Sequence, residues 1–94
     1  MTFFLFGKYS AESIKDADAE RTEQALKLIG DLGGKVKGMY ALLGEHDLVF
    51  ILDVKTLEVA MKISVELTAV TGISFTSYPA IPVNDFDRLL GELT

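Results

Sequence analysis

The chain has no cysteine, no tryptophan, a single histidine and two prolines among its 94 residues. Without thiols there can be no disulfide, no cysteine-bound zinc or iron–sulfur cluster, and no thiol nucleophile. A thiol-free chain suits a reducing cytoplasm, the compartment expected here. With one histidine, a transition-metal site would need carboxylates from distant positions, so neither a metal nor a cofactor is expected. No apolar run approaches the roughly 18 residues that a membrane helix needs, which argues against a membrane partner. The apolar start, Met1 to Tyr9, lacks a basic leader and a small-residue cleavage pattern, and reads as a strand rather than a signal peptide. Positive charge is scarce too. The net charge is −5, and Lys35, Lys37, Lys55 and Lys62 are scattered singly, which offers little to a nucleic-acid backbone.

Apolar surface is abundant by contrast. Hydrophobic residues make up 49% of the chain and the mean hydropathy is +0.30. Residues 1–94 amount to one domain, and a domain of this size leaves much of its surface outside. The surplus points to contacts with further copies of the chain, a homodimer or a higher homo-oligomer.

The elements alternate along the chain. Thr2 to Lys8 holds Phe3, Phe4, Leu5 and Phe6 in succession, and its shortness and aromatic content predict a strand. Ser10 is a candidate N-cap, with Ser13 competing, for a helix over Ser10 to Leu32. Asp16, Asp18 and Glu20 mark either a break near Asp18 or an acidic helix start there. Gly33-Gly34 ends the helix. Val36 to Leu43 and Leu48 to Val54 read as a hairpin around Gly44-Glu45-His46-Asp47, a tight turn in which Gly44 supplies the backbone freedom. Thr56 caps a second helix from Leu57 to about Thr71, with an apolar stripe at helical spacing and Gly72 at its end. Ile73 to Tyr78 alternates as a half-buried strand does, and Pro79 and Pro82 stop it or confine it to an edge. Asn84 is expected to cap a short last helix with Leu89, Leu90 and Leu93 on its apolar side.

This is the βαββαβ order of the ferredoxin-like α+β fold, here with a short C-terminal helix. Right-handed crossovers put the antiparallel strands in the order 4-1-3-2. The continuously apolar first and third strands belong at the centre, and the polar and proline-bearing second and fourth strands at the edges. Two helices cover one face only. Four strands of about five residues leave roughly 300 Å² uncovered, near the limit for a monomer. A second copy is expected to pack there, sheet to sheet.

Several short motifs run in one order along nearly the whole chain. They are Phe6-Gly7-Lys8-Tyr9-Ser10, Ala19-Glu20-Arg21, Gly33-Gly34-Lys35-Val36, Met39-Tyr40, Gly44-Glu45-His46-Asp47 and Gly72-Ile73-Ser74-Phe75-Thr76. In this the chain resembles the GYD-domain family of small prokaryotic proteins. The family's naming motif is Gly-x-Tyr-Asp, and His46 stands where Tyr is usual. The resemblance implies a ferredoxin-like domain of the dimeric α/β-barrel type, a group that includes AsnC/Lrp-type effector domains and small cofactor-free monooxygenases.

The residues themselves allow two readings each. Gly7, Gly33, Gly34, Gly44 and Gly72 answer backbone needs, although Gly7 also leaves room for a ligand or another backbone. Asp47 accepts from turn amides or acts as an acid–base group. Histidine is a side-chain type suited to acid–base work, but a lone turn histidine such as His46 is usually solvated. Arg21, among Asp18, Glu20 and Glu23, is a surface ion-pair member or an anion clamp. Tyr9, Tyr40 and Tyr78 combine apolar bulk with a hydroxyl. By strand parity Tyr40 goes with Val36, and Tyr78 with Ser74 and Thr76. A small, partly apolar organic ligand is expected near Tyr9, Arg21, Tyr40, His46, Asp47, Thr76 and Tyr78. No residue is assigned a catalytic role. The favoured reading is an oligomeric, non-enzymatic module for small-molecule binding or assembly. The alternative is a cofactor-free oxygenase or isomerase.

Overall fold

The computed structural model describes residues 1–93, Leu93 by its backbone only, so the apolar role expected of the Leu93 side chain lies outside the described residues. The elements are β1 (Thr2–Lys8), α1 (Ala11–Lys15), α2 (Ala19–Asp31), β2 (Lys35–Ala41), β3 (Leu48–Asp53), α3 (Leu57–Thr71), β4 (Ser74–Ala80) and α4 (Val83–Leu93). The strands form one antiparallel sheet in the order β2-β3-β1-β4. This is the expected 4-1-3-2 order read from the other edge.

Local chemistry sets the helix ends. The expected first helix is two helices. Ser10 and Ser13 form a reciprocal capping box that starts α1. Asp18 then restarts the chain as the cap of α2, its Oδ1 accepting the Arg21 N–H at 2.8 Å. Thr56 caps α3 by accepting from the Val59 N–H, and Gly72, at φ +73°, closes it. That left-handed conformation favours glycine. Asn84 is not a cap. It lies inside α4, which is opened by the Pro82 carbonyl accepting from the Asp85 and Phe86 amides.

Pairing register divides the side chains of the sheet between two faces. Phe3 and Leu5 of β1 sit opposite Leu52 and Phe50 of β3 and are buried. Above them pack Ala25 and Ile29 of α2 and Ala60, Ile63 and Leu67 of α3. Phe4 and Phe6 point the other way, with Ile51, Val49, Thr76 and Tyr78 beside them. Among the described residues no helix covers that second face. A β-bulge between Val36 and Gly38 changes the parity of β2. Val36 therefore faces the helices while Tyr40, opposite Val49, faces the open side, which corrects the pairing of Tyr40 with Val36.

The chain is thin and long, 51 × 30 × 18 Å, with a radius of gyration of 14.6 Å. About 12 Å is usual for this length.

Candidate functional site

The loop of residues 42–47 is wider than a tight turn. Gly44 adopts φ +152°, and Leu43 is 105% exposed at the tip. Asp47 does not cap this loop from within. Its Oδ2 accepts the Tyr9 backbone N–H at 2.8 Å, its own N–H donates to the Gly7 carbonyl at 2.9 Å, and its carbonyl accepts from the Leu42 amide at 2.8 Å. One carboxylate thus ties the β2–β3 loop to the exit of β1. Lys8 adds a hydrogen bond from Nζ to the Glu45 carbonyl at 2.8 Å. The space left by Gly7 is taken by the chain's own side chains. A Cβ there would lie 2.9 Å from Phe75 and 3.2 Å from Ile73, so this glycine serves internal packing rather than ligand approach.

With its backbone fixed by Asp47, Tyr9 presents its ring to Arg21. The guanidinium carbon lies 5.5 Å from the ring centroid, a cation–π distance. Arg21 Nη1 donates to the Ser13 carbonyl at 2.6 Å. Among the described residues Arg21 makes no ion pair with Asp18, Glu20 or Glu23, so the surface ion-pair reading gives way. Asp18 spends Oδ1 on the Arg21 backbone amide instead. The result is a half-buried guanidinium whose charge is not neutralised by a carboxylate.

Arg21 and Tyr9 stand at a cleft of about 320 Å³ between the N-terminal half of α2 and the helix side of the sheet. Its apolar lining includes Ala25, Leu48, Phe50, Ile73 and Phe75, and its polar lining includes Thr22 and Thr71. Arg21 reaches it because Ala25 is one helical turn further on and buried, so both lie on the inward side of α2. Phe50, Phe75 and Thr22 were missed as site residues. The i, i+4 spacing of Arg21 and Ala25 and the shared parity of Phe50 and Phe75 with the core were signals that could have found them.

The expected site residues therefore separate. Tyr9 and Arg21 border the cleft, and Tyr40 meets it at the β2 edge although its register turns it to the open side. Thr76 and Tyr78 lie on the opposite, open face of the sheet. His46 lies there too, its ring 4.8 Å from that of Phe6, which also meets Tyr78 edge-on at 5.7 Å. Phe4 continues this row at 6.4 Å from Phe6. Asp47 supports the cleft from beneath through Tyr9. At the far end of the sheet the Asp53 carboxyl is held below its ordinary value of 3.8. The causes are a hydrogen bond from the terminal ammonium first, then that group's charge, with Lys37 and Lys35 adding to it. Among the described residues, no helix is long and apolar enough to cross a membrane.

No curated protein matches the chain. Among solved structures it resembles the leucine response regulatory protein LrpA of Mycobacterium tuberculosis, with a TM-score of 0.57 at 12% identity. The likeness covers 86% of this chain and 50% of that one, so the chain spans half of its length. At that identity the likeness speaks for the ferredoxin-like fold alone. The family model for the GYD domain matches residues 2–90, and the chain belongs to the GYD-domain family.

Proposed function

We propose that this chain is a cytoplasmic, homo-oligomeric module that binds a small, largely apolar carboxylic acid in the helix-side cleft and catalyses no reaction. The observation that carries the reading is Arg21, a half-buried guanidinium over the Tyr9 ring at the mouth of an apolar cleft, without a carboxylate partner among the described residues. A largely apolar cleft with a guanidinium at its mouth, and with the one lining carboxylate, Asp18, already accepting from a backbone amide, suits a ligand with a hydrocarbon body and an anionic end. Guanidinium recognises carboxylate by paired, charge-assisted hydrogen bonds. Binding is favoured over turnover because both nearby carboxylates are engaged with backbone amides, Asp18 with Arg21 and Asp47 with Tyr9. The only histidine is on the other face.

The open face supports the oligomeric part. It carries Phe4, Phe6, Ile51 and Tyr78 with no helix over them among the described residues, and a twofold sheet-to-sheet pairing would remove these groups from water. The chain exposes 6389 Å², against about 5,400 Å² for a compact monomer of its mass.

Thermal-shift titration with phenylacetate and isovalerate tests the ligand. Saturable stabilisation is expected. Arg21→Gln should weaken it tenfold or more, about 1.4 kcal/mol, while benzyl alcohol and benzylamine give none. Equal stabilisation by the amine, or an unaffected Arg21→Gln variant, contradicts the anion-clamp reading.

A further inference from the structure

The C-terminal helix has an apolar stripe that stays largely exposed among the described residues. Val83, Phe86, Leu89 and Leu90 recur at helical spacing and are 71%, 48%, 50% and 45% exposed. A stripe of this kind marks a helix that packs on something. Ile81, just before it, is 57% exposed as well. The other edge of the sheet has the complementary lack. β2 is an edge strand with unpaired backbone groups, and it is guarded by exposed Lys35 and Lys37 beside the bulge.

We propose that α4 is an exchanged arm that docks on the β2 edge of a second copy. The inference rests on the sheet-to-sheet pairing proposed above, and three observations favour this occupant.

The first is position. Ala80, Thr2, Asp53 and Lys35 are matched across the sheet, so α4 leaves β4 at the same level at which β2 begins, but on the opposite edge. A twofold axis running along the strands exchanges left and right edges and keeps each end at its level. It therefore sets the partner's β4, and the start of its α4, over the Lys35 end of β2. The alternative axis, across the strands, sets β4 over β4 and leaves both arms without a counterpart.

The second observation is charge. The helix carries Asp85, Asp87 and Glu92 against Arg88. Arg88 pairs with Asp85 within the helix. Among the described residues, Asp87 and Glu92 have no ion-pair partner, and opposite them in this arrangement stand Lys35 and Lys37. Opposed charges at an interface rim choose register and partner orientation. The Tyr40 ring leans over Gly38 and is 60% exposed, supplying apolar surface beside the lysines.

The third is area. A sheet footprint of about 300–450 Å² falls well short of the roughly 800 Å² that each partner buries in a stable interface. A helix of 11 residues is about 16 Å long and 10 Å wide. In an exchange each copy gives one such face and receives another, adding about 320 Å². The sum approaches the range of a stable dimer, which the sheet alone does not.

The absence of cysteine makes a direct test possible. Full-length Lys37→Cys protein is mixed with full-length Asp87→Cys protein and oxidised, and sedimentation is measured on the unmodified, Phe86→Ser/Leu90→Ser, Lys37→Glu and Lys37→Glu/Asp87→Lys chains. The expected results are a covalent heterodimer, at least tenfold weaker self-association for the Phe86/Leu90 and Lys37→Glu variants, and recovery within threefold in the charge-swapped chain. All variants should retain the unmodified circular dichroism, since the helix lies outside the core. An unmodified chain that dimerises while Phe86→Ser/Leu90→Ser dimerises within twofold of it overturns the arm and leaves the sheet pairing standing. An unmodified chain that sediments only as a folded monomer overturns both. A doubly substituted chain that closes its disulfide within one molecule also overturns the arm.

Discussion

Leu5 and Phe6 are consecutive residues of the same central strand and both are strongly apolar, yet they end in different surroundings. Leu5 is 0% exposed beneath α2 and α3, while Phe6 is half-buried on the opposite face, its ring tilted against His46 and edge-on to Tyr78. The same division runs through the sheet, with Phe3, Phe50 and Leu52 on one side and Phe4, Val49 and Ile51 on the other. On the helix side the chain supplies its own covering and leaves one cleft, at Arg21. On the open side it supplies aromatic rings that no helix covers among the described residues. In the function proposed above the two faces divide the work, one folding the chain and holding the ligand, the other serving assembly.

Substitution at these two neighbours separates the roles most sharply. Leu5→Ala should lower unfolding free energy by about 2–5 kcal/mol, as cavity formation in a packed core does. Phe6→Asp should leave a cooperatively melting chain but abolish self-association. Denaturant melts together with sedimentation distinguish these outcomes. A Phe6→Asp chain that remains dimeric breaks the comparison.

The loop that joins the faces gives a smaller effect. Asp47→Ala removes the acceptor of the Tyr9 amide and should destabilise the chain by about 1–3 kcal/mol, with the response to phenylacetate weakened as well because Tyr9 supports Arg21. His46→Tyr, which places another ring beside Phe6, should stay within about 0.5 kcal/mol of the unmodified chain. A melt in which His46→Tyr is the more damaging of the two would reverse the roles assigned here.

The smallest effect belongs to Asp53. Its folded carboxyl lies below the ordinary value of 3.8 because the terminal ammonium hydrogen-bonds to it and attracts it. Such a group stabilises the fold above its unfolded value, and the contribution is lost as pH falls through the lowered folded value. Asp53→Asn should therefore melt slightly below the unmodified chain near neutral pH, and the two should converge in acid. The Asp53 side chain is half-exposed, and salt should shrink the difference.

Much of this was legible in the sequence because periodicity and capping report local choices. The order of elements, the strand order, the cap at Thr56 and the end at Gly72 all followed from side-chain spacing and turn chemistry. What was illegible was set by long-range geometry. Asp47 finds its partner amide at Tyr9, 38 residues away, and no local rule of turns points there. The bulge at Lys37 changed the face of Tyr40, since one inserted residue inverts everything after it. The expected ligand residues were split across the sheet for a related reason. Neighbouring strands place residues side by side, but register decides which side of the sheet they occupy, and Thr76 and Tyr78 pair with the outward-facing Phe6 and Phe4. Arg21 was legible as a cation. Its freedom from carboxylates depended on Ser13 and Tyr9 being brought to it by the α1–α2 break.

The central claim, that the ligand belongs to the helix side and the partner to the open side, is tested most directly by titrating phenylacetate into isotopically labelled full-length protein and following its amide and arginine side-chain resonances. The account predicts saturable shifts at Tyr9, Arg21, Thr22, Ala25 and Phe75, with Phe4, Phe6 and Tyr78 unmoved. Shifts confined to Phe6, His46 and Tyr78 would place the ligand on the open face and contradict it.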